Sequence, residues 1–496
     1  MKHRHPVNTV VMEGATTMQH YLKSKKSASA AFVIVFLLSA SPVFAQPPVK
    51  LVGSPDIVPP ATAEMQNPEF WISRIEGDPT RVIMTPAQID GLNRRNAVRS
   101  LAHTDINGAE TSIDSVLVMR NFSGIRYHID DPLAMTAMDG TIIRQRLETS
   151  ADALIAAEYW DRRFIPFPEA DKRAIVETMQ TGAVPAVIRP RHGVTVRHTL
   201  VRVYPAHERA YRSQYNWLDM FQCAVLETGQ AVAVLHETKN RDWMYVRSEY
   251  CEGWVPALNV AFGKPGEIRR FASPERFVVA IGHKAPVLTK SAEGVFLLDL
   301  YMGSRLPLER TSAGGYGVIV PVRLTDGSLG EVAGWIAEGT EVSVGYQSYT
   351  QRNVITTVFR LLNRPYGWGG TDNERDCVGT IRAVLRTFGI NTPRWTVFQL
   401  YSADHVTTFP ADTPKEEKYR LLSKCAPGIT VGGFDWHVVL YLGEVDGVHY
   451  IIHQNGYSYH DGGGDEVRVP RVSVNSTELE GGADIAKWTE LSEFRP

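Results

Sequence analysis

Two hydrophobic periodicities divide this chain. Between about residues 195 and 345 apolar residues come in short strand-length runs: Ala231-Val232-Ala233-Val234-Leu235, Trp243-Met244-Tyr245-Val246 and Gly253-Trp254-Val255, broken by the turn Asn240-Arg241-Asp242. A second copy of the pattern follows, with Gly303-Ser304-Arg305-Leu306-Pro307-Leu308, Tyr316-Gly317-Val318-Ile319-Val320-Pro321-Val322, a turn at Asp326-Gly327 and a closing Gly334-Trp335-Ile336. Short strands with regular turns predict two small all-β barrels, over residues 191–262 and 263–345. Trp254 and Trp335 are expected to fill their cores.

Helical spacing brackets these barrels. After a Pro-rich lead-in, Thr85-Pro86-Ala87-Gln88-Ile89 reads as a capped helix start with proline in the first turn, and Met135 to Tyr159 and Pro168-Glu169-Ala170-Asp171 carry further helix signals. Residues 46–190 are therefore expected to form a mainly helical supporting domain. Past residue 346, Val354, Val358, Leu361 and Leu362 fall on one helical face that stops at Pro365. A second helix follows with Val378, Ile381, Val384, Leu385 and Phe388. Two strands come next, His437 to Gly443 and Val448 to His453, joined through Asp446-Gly447. Residues 346–496 thus read as an α+β domain.

The N-terminus carries one more pattern. Lys23, Lys25 and Lys26 precede the apolar run Ala30 to Leu38, which ends at Pro42-Val43-Phe44-Ala45. That run is too short to span a bilayer core of ~30 Å, so residues 1–45 are expected to be a secretory signal cleaved after Ala45, with translation starting at Met18. A retained short anchor is the alternative. No cysteine follows the run, so a lipid anchor is not indicated.

At 496 residues the length favours about three domains over one. With 44% apolar residues and 52 Lys+Arg against 54 Asp+Glu, wholesale disorder and a nucleic-acid partner are both poor readings. Four cysteines are too few for a disulfide framework, and none are paired as in structural zinc sites. Cys223 and Cys251 flank strands of the first barrel, and their spacing leaves a disulfide between them undecided.

Candidate chemistry gathers in the last third. A glycine-rich loop, Pro365-Tyr366-Gly367-Trp368-Gly369-Gly370, precedes Arg375-Asp376-Cys377-Val378-Gly379-Thr380. Cys377 opens a helix, where unpaired N–H groups favour the thiolate and lower a thiol's pKa, although Asp376 opposes this. His437 and His453 on the following hairpin complete a cysteine, histidine and orienting-residue set suited to covalent acyl transfer. A buried packing cysteine, or zinc held by Cys377, His437 and His453, are the competing readings; the usual metal spacings are missing. Cys425, His405 and His460 read as structural or surface residues. Strand parity adds a constraint. A two-residue Asp446-Gly447 loop would set His453 opposite Leu440 and turn the two imidazoles to opposite faces. An odd loop, Val445-Asp446-Gly447, is therefore expected, with His453 opposite Val439 and His449 out of range.

"Pro-Tyr-Gly-Trp-Gly-Gly", then "Asp-Cys-x-Gly", then "His-Val-x-x-Tyr-Leu-Gly" is similar in order and spacing to the NlpC-type papain-like peptidases of bacterial cell walls, strongly over about residues 350–460. The "Gly-Trp-(Val/Ile)" endings resemble bacterial SH3-like domains. The resemblance implies a helical N-terminal domain, two SH3-like barrels and a papain-like peptidase. It implies Cys377 as nucleophile, His437 as base and His453 as the residue orienting it. Tyr366 would help stabilise the oxyanion, and Asp376 would meet the free amine of an L-Ala-γ-D-Glu substrate, a role that also suits a buried carboxylate needing a cation; the alternative is that Asp376 only caps the Cys377 helix or pairs with Arg375. The implied activity is hydrolysis of γ-D-glutamyl to diamino-acid bonds in peptidoglycan-derived peptides, in the periplasm or envelope, with no metal or organic cofactor and no stable membrane anchor. Val378 stands where the family usually has serine, and Arg394 in Pro393-Arg394 matches a family feature without a defined role. The rivals are a catalytically impaired wall-binding scaffold, and an acyltransferase or amidase on the same fold.

Overall fold

The structure is a computed structural model that describes residues 55–98, 102–104, 110–112, 131–213, 218–290, 294–434, 436–461, 465–481 and 483–496. The expected signal segment, 1–45, lies outside these residues.

The first alternating region folds into a seven-stranded antiparallel sheet running Val260–Phe262, Arg191–Thr195, Ala231–Glu237, Trp243–Arg247, Glu252–Pro256, Thr199–Arg202 and Gln222–Leu226 in spatial order. Its strands are buried on both sides, which is why Ala231 to Leu235 is an unbroken apolar run. Val232, Val234, Val246 and Val255 point into the barrel core. Ala233, Leu235, Tyr245 and Trp254 point outward against Ile143, Leu147 and Leu154 of the helix Gly140–Ala156. Trp254 is therefore buried under a helix rather than inside the barrel. The second region forms another seven-stranded sheet between Phe277 and Val344, around Val278, Val287, Leu300, Leu306, Val318 and Ile336. Trp335 is only half-buried there, with Lys290 Nζ 4.3 Å from its ring centroid.

The helical region ahead of the barrels divides between two cores instead of building its own. The helices Gly140–Ala156 and Glu169–Met179 cover the first sheet. Residues 55–98 pack elsewhere: Met65, Trp71, Ile72, Met84, Ile89 and Leu92 enter the core of the C-terminal domain beside Val358, Ile381 and Phe388. The helix Pro86–Val98 starts as its sequence predicts, with Thr85 N–H donating to Gln88 Oε1 at 2.8 Å and Gln88 N–H to Thr85 Oγ1 at 3.4 Å.

In the C-terminal domain α1 (Gln351–Phe359) is capped by Thr350, whose hydroxyl accepts from Asn353 N–H, and α2 (Cys377–Arg386) by Asp376. Six antiparallel strands follow: β1 (His405–Thr408), β2 (Thr430–Phe434), β3 (His437–Val445), β4 (Val448–Gln454), β5 (Val472–Ser476) and β6 (Glu490–Glu493), in the spatial order β1-β6-β2-β3-β4-β5. Alternation along β3 splits its side chains between two layers. Val438, Leu440 and Leu442 join Val354, Val358, Ile381 and Leu385 of α1 and α2. Val439 and Tyr441 join Leu422, Ile485 and Trp488 on the other side.

The β3–β4 hairpin corrects one expectation and fulfils its purpose by another route. Val445 pairs with Val448, so the loop is the two residues Asp446-Gly447, both at positive φ (52° and 79°), and not an odd loop. The parity change occurs higher up, where Tyr441 pairs with Ile451 but Gly443 with Tyr450, leaving Leu442 as the extra residue of a bulge. Gly443 at φ 129° permits the distortion. Continued past Leu440–Ile452, this register sets His453 opposite Val439 and diagonal to His437.

Candidate active site

Cys377 is the first residue of α2. Its N-cap, Asp376, uses both carboxylate oxygens: Oδ1 accepts from Gly379 N–H at 2.8 Å, and Oδ2 accepts from Gly369 N–H at 2.9 Å. The guanidinium of Arg394 pairs with Oδ2 as well. Asp376 therefore already has a buried cationic partner and ties the glycine loop to the helix. Arg375 turns away, with its Nη1 3.1 Å from His283 Nδ1 of the second barrel.

The glycine loop is shaped by the first barrel. Gly369 and Gly370 have φ of 60° and 97°, and a Cβ on Gly370 would fall 1.8 Å from Val225 Cγ2. Gln222 Nε2 donates to the Gly369 carbonyl at 2.8 Å. Strand Gln222–Leu226 thus forms a wall behind the loop that carries Asp376's partner.

The Cys377 thiol lies against the start of β3, with Sγ 3.9 Å from the Trp436 carbonyl oxygen and a hydrogen bond from Val438 N–H. These two backbone groups flank His437. The helix start does not produce a thiolate here. Burial first, and Asp376 second, push the thiol up to about 12, against the smaller opposing effects of the Val438 and Val378 amides and Arg394. The expectation of a lowered pKa fails because desolvating a thiolate costs more than the helix terminus returns.

His437 Nε2 lies 2.6 Å from His453 Nδ1, and both rings are buried. Burial, then the neighbouring His453, hold His437 well below the usual histidine range; burial brings His453 to about 3. Tyr457 meets the His437 ring edge-on at 5.2 Å. Burial holds the Tyr366 hydroxyl well above the usual range, and the Asp376 carboxylate adds to that shift. Its ring fits over Gly456, where a Cβ would approach to 2.8 Å. Val378 is buried in the core shared with α1.

The other candidates stand apart. His449 hydrogen-bonds Tyr441 Oη at 2.9 Å and stacks on Tyr419. His405 bonds the Pro496 carbonyl at 2.7 Å, His460 lies beside Glu480, and Cys425 packs at the end of a helix with Sγ 3.5 Å from the Leu421 carbonyl. Cys223 and Cys251 are free thiols. Among the described residues no group of three or more His, Cys, Asp or Glu could hold a metal. Sequence reasoning missed Arg394 as the partner of Asp376, since the two are 18 positions apart with no periodicity linking them.

Residues 214–256 match the family model of the SH3 domain of SH3b1 type. The whole architecture resembles a solved NlpC/P60 endopeptidase from Photobacterium damselae subsp. piscicida at 18% identity and a TM-score of 0.66, covering 84% of this chain and 94% of that one. An NlpC/P60 family protein from Bacillus cereus ATCC 10987 is 19% identical with a TM-score of 0.40, covering 55% of this chain and 83% of that one. No curated protein matches the chain significantly in sequence. Among the described residues no helix is long and apolar enough to cross a membrane. The fold is that of an NlpC-type peptidase carrying SH3-like domains.

Proposed function

We propose that this chain is an exported cysteine endopeptidase that hydrolyses γ-D-glutamyl to diamino-acid bonds in peptidoglycan stem peptides. The observation that carries the reading is Cys377 at the first turn of α2, set against the backbone on either side of His437, whose ring is bonded to His453 at 2.6 Å. That is the set of groups acyl transfer needs: a nucleophile, a base, and a group that orients the base.

Chemistry follows from the free atoms. His453 occupies Nε2 of His437, so Nδ1 is the nitrogen left to take the thiol proton as Sγ attacks the substrate carbonyl. The Cys377 N–H and the Tyr366 hydroxyl are the donors for the oxyanion. His437 then returns its proton to the leaving amine of the diamino acid, and water hydrolyses the thioester by the reverse sequence. A resting neutral thiol and neutral imidazole suit this scheme, because the proton moves only when the carbonyl is in place.

The SH3-type barrel supports an envelope substrate, and the wall it forms behind Gly369-Gly370 supports recognition of a short released peptide. A requirement for a free L-Ala amine belongs to this reading through the family resemblance alone, because Asp376 has Arg394 as its cation. Digestion of defined L-Ala-γ-D-Glu-diamino-acid peptides, free and N-acetylated, with mass analysis of the products, tests both parts. Scission at the γ-D-glutamyl bond is expected. Intact peptide after prolonged incubation excludes the activity, and equal rates on the two peptides exclude the amine requirement.

A further inference from the structure

Beyond the triad, the proton positions on the two histidines are themselves undecided by their contact. One hydrogen lies between His437 Nε2 and His453 Nδ1. If it belongs to His437, that ring has a bare Nδ1 and can act as a base, and the proton of neutral His453 must sit on Nε2. If it belongs to His453, His437 carries its own proton on Nδ1 and cannot accept one from the thiol. Whatever faces His453 Nε2 therefore selects between a working and an idle base: an acceptor there selects the first, a donor the second.

Asn475 stands at that position. On β5 it pairs with Ile451, and Ser473, two residues before it, pairs with His453, so Asn475 shares the face of His453 at the diagonal position. Its amide interacts with the His453 ring, and both residues are buried. Ser473 Oγ donates to Asn475 Oδ1 at 2.6 Å, and in that orientation His453 Nε2 and Asn475 Nδ2 are both buried without a hydrogen-bond partner. The Asn475 side chain raises the His453 pKa, as an acceptor facing the ring does, so its Oδ1 is the group toward which a proton on His453 Nε2 points.

We propose that Asn475, held by Ser473, is the positioning residue that fixes the proton on His453 Nε2 and so leaves His437 Nδ1 free as the base. The proposal rests on the peptidase reading for its consequence, though not for the proton arrangement. From His437 Nε2–H through His453 to the Asn475 carbonyl, each donor then meets an acceptor.

The test uses the full mature chain with ¹⁵N-labelled histidine. In the parent, long-range ¹H–¹⁵N spectra should show both rings protonated on Nε2. Asn475→Ala should shift His437 toward a mixture of tautomers and lower kcat about 10²-fold with KM little changed, the scale of a misoriented general base. Asn475→Asp restores an acceptor, so both rings should keep Nε2 protonated. Its activity should stay within a few-fold of the parent, and the acid limb of kcat/KM should move to higher pH because the carboxylate favours the imidazolium. Unchanged tautomers in Asn475→Ala, or Asn475→Asp losing as much activity as Asn475→Ala, would overturn the proposal. If Asn475→Ala fails to fold, an unmoved acid limb in Asn475→Asp overturns it alone. Should the parent cleave no stem peptide, the peptidase reading fails, while the spectra still decide the proton arrangement.

Discussion

Cys377 and His437 rest uncharged, because burial raises one pKa to about 12 and holds the other below the usual histidine range. Only the thiolate is nucleophilic, so alkylation of Cys377 by iodoacetamide should be slow at pH 7 and rise about tenfold per pH unit between pH 6 and 9. A rate independent of pH across that interval would mean a preformed thiolate–imidazolium pair and would contradict the burial argument. Hydrolysis itself should vanish in Cys377→Ser and His437→Ala while near-native folding persists, since nucleophile and base act as one unit. His453→Ala should lose less, because water can replace part of an orienting contact. Steady-state kinetics on a defined stem peptide, with circular dichroism for folding, would separate these outcomes. Both titrating groups were readable in the sequence from helix position and strand content. Their ionisation was not, because a helix terminus is a local feature while desolvation depends on everything packed around it.

At the scale of elements, the hairpin shows what a parity argument can and cannot reach. Period-two alternation established that His437 and His453 can share a face only if one strand holds an odd residue. Nothing in Leu440-Tyr441-Leu442-Gly443-Glu444-Val445-Asp446-Gly447 says where that residue lies, and Asp446-Gly447 also suits the tight two-residue turn that forms. Gly443 was the available signal: an isolated glycine inside a strand marks a bulge. At φ 129° it is the one position of the bulge that resists a side chain through backbone strain, since only Pro427 Cγ, at 3.7 Å, lies near its Cβ direction. Gly443→Ala should therefore cost about 1–3 kcal/mol of stability, read as a lower urea midpoint, and depress hydrolysis further than that loss explains by disturbing the diagonal contact between the histidines. Stability within error of the parent would show that the bulge tolerates an L-residue and that another feature holds the register. Helix starts were easier to read, because Thr85, Thr350 and Asp376 each cap through their own side chains, whereas α1 ends at Phe359 and not at Pro365 as expected. The division of residues 55–98 and 140–179 between two cores was not, since an apolar helix face does not name its partner.

For the whole molecule the decisive region is where the two barrels meet the peptidase. His198 of the first barrel packs at a tilt against Tyr301 of the second with centroids 4.2 Å apart; His283 packs edge-on to the same ring and contacts Arg375, two residues before the nucleophile. Burial lowers His198 to about 4, and burial followed by Arg375 lowers His283 to about 3. Both are thus neutral in the fold but titrate near 6.5 when unfolded. For such groups the stability is intact above pH 6.5 and is lost as pH falls from there toward 4, because only the unfolded chain gains protons in that window. Each contributes a slope of about 1.4 kcal/mol per pH unit at most, and buried His437 and His453 add in the same direction. Thermal unfolding should therefore show a Tm nearly constant from pH 8 to 7 and falling steeply below pH 6. His283→Gln, which keeps a neutral polar group beside Arg375, should make that fall shallower than in the parent. Because the junction also sets the wall behind Gly369-Gly370, activity should decline with stability in the acid range instead of before it. An equally steep Tm profile in His283→Gln would remove this histidine from the account and leave the acid sensitivity to His198 and the catalytic pair.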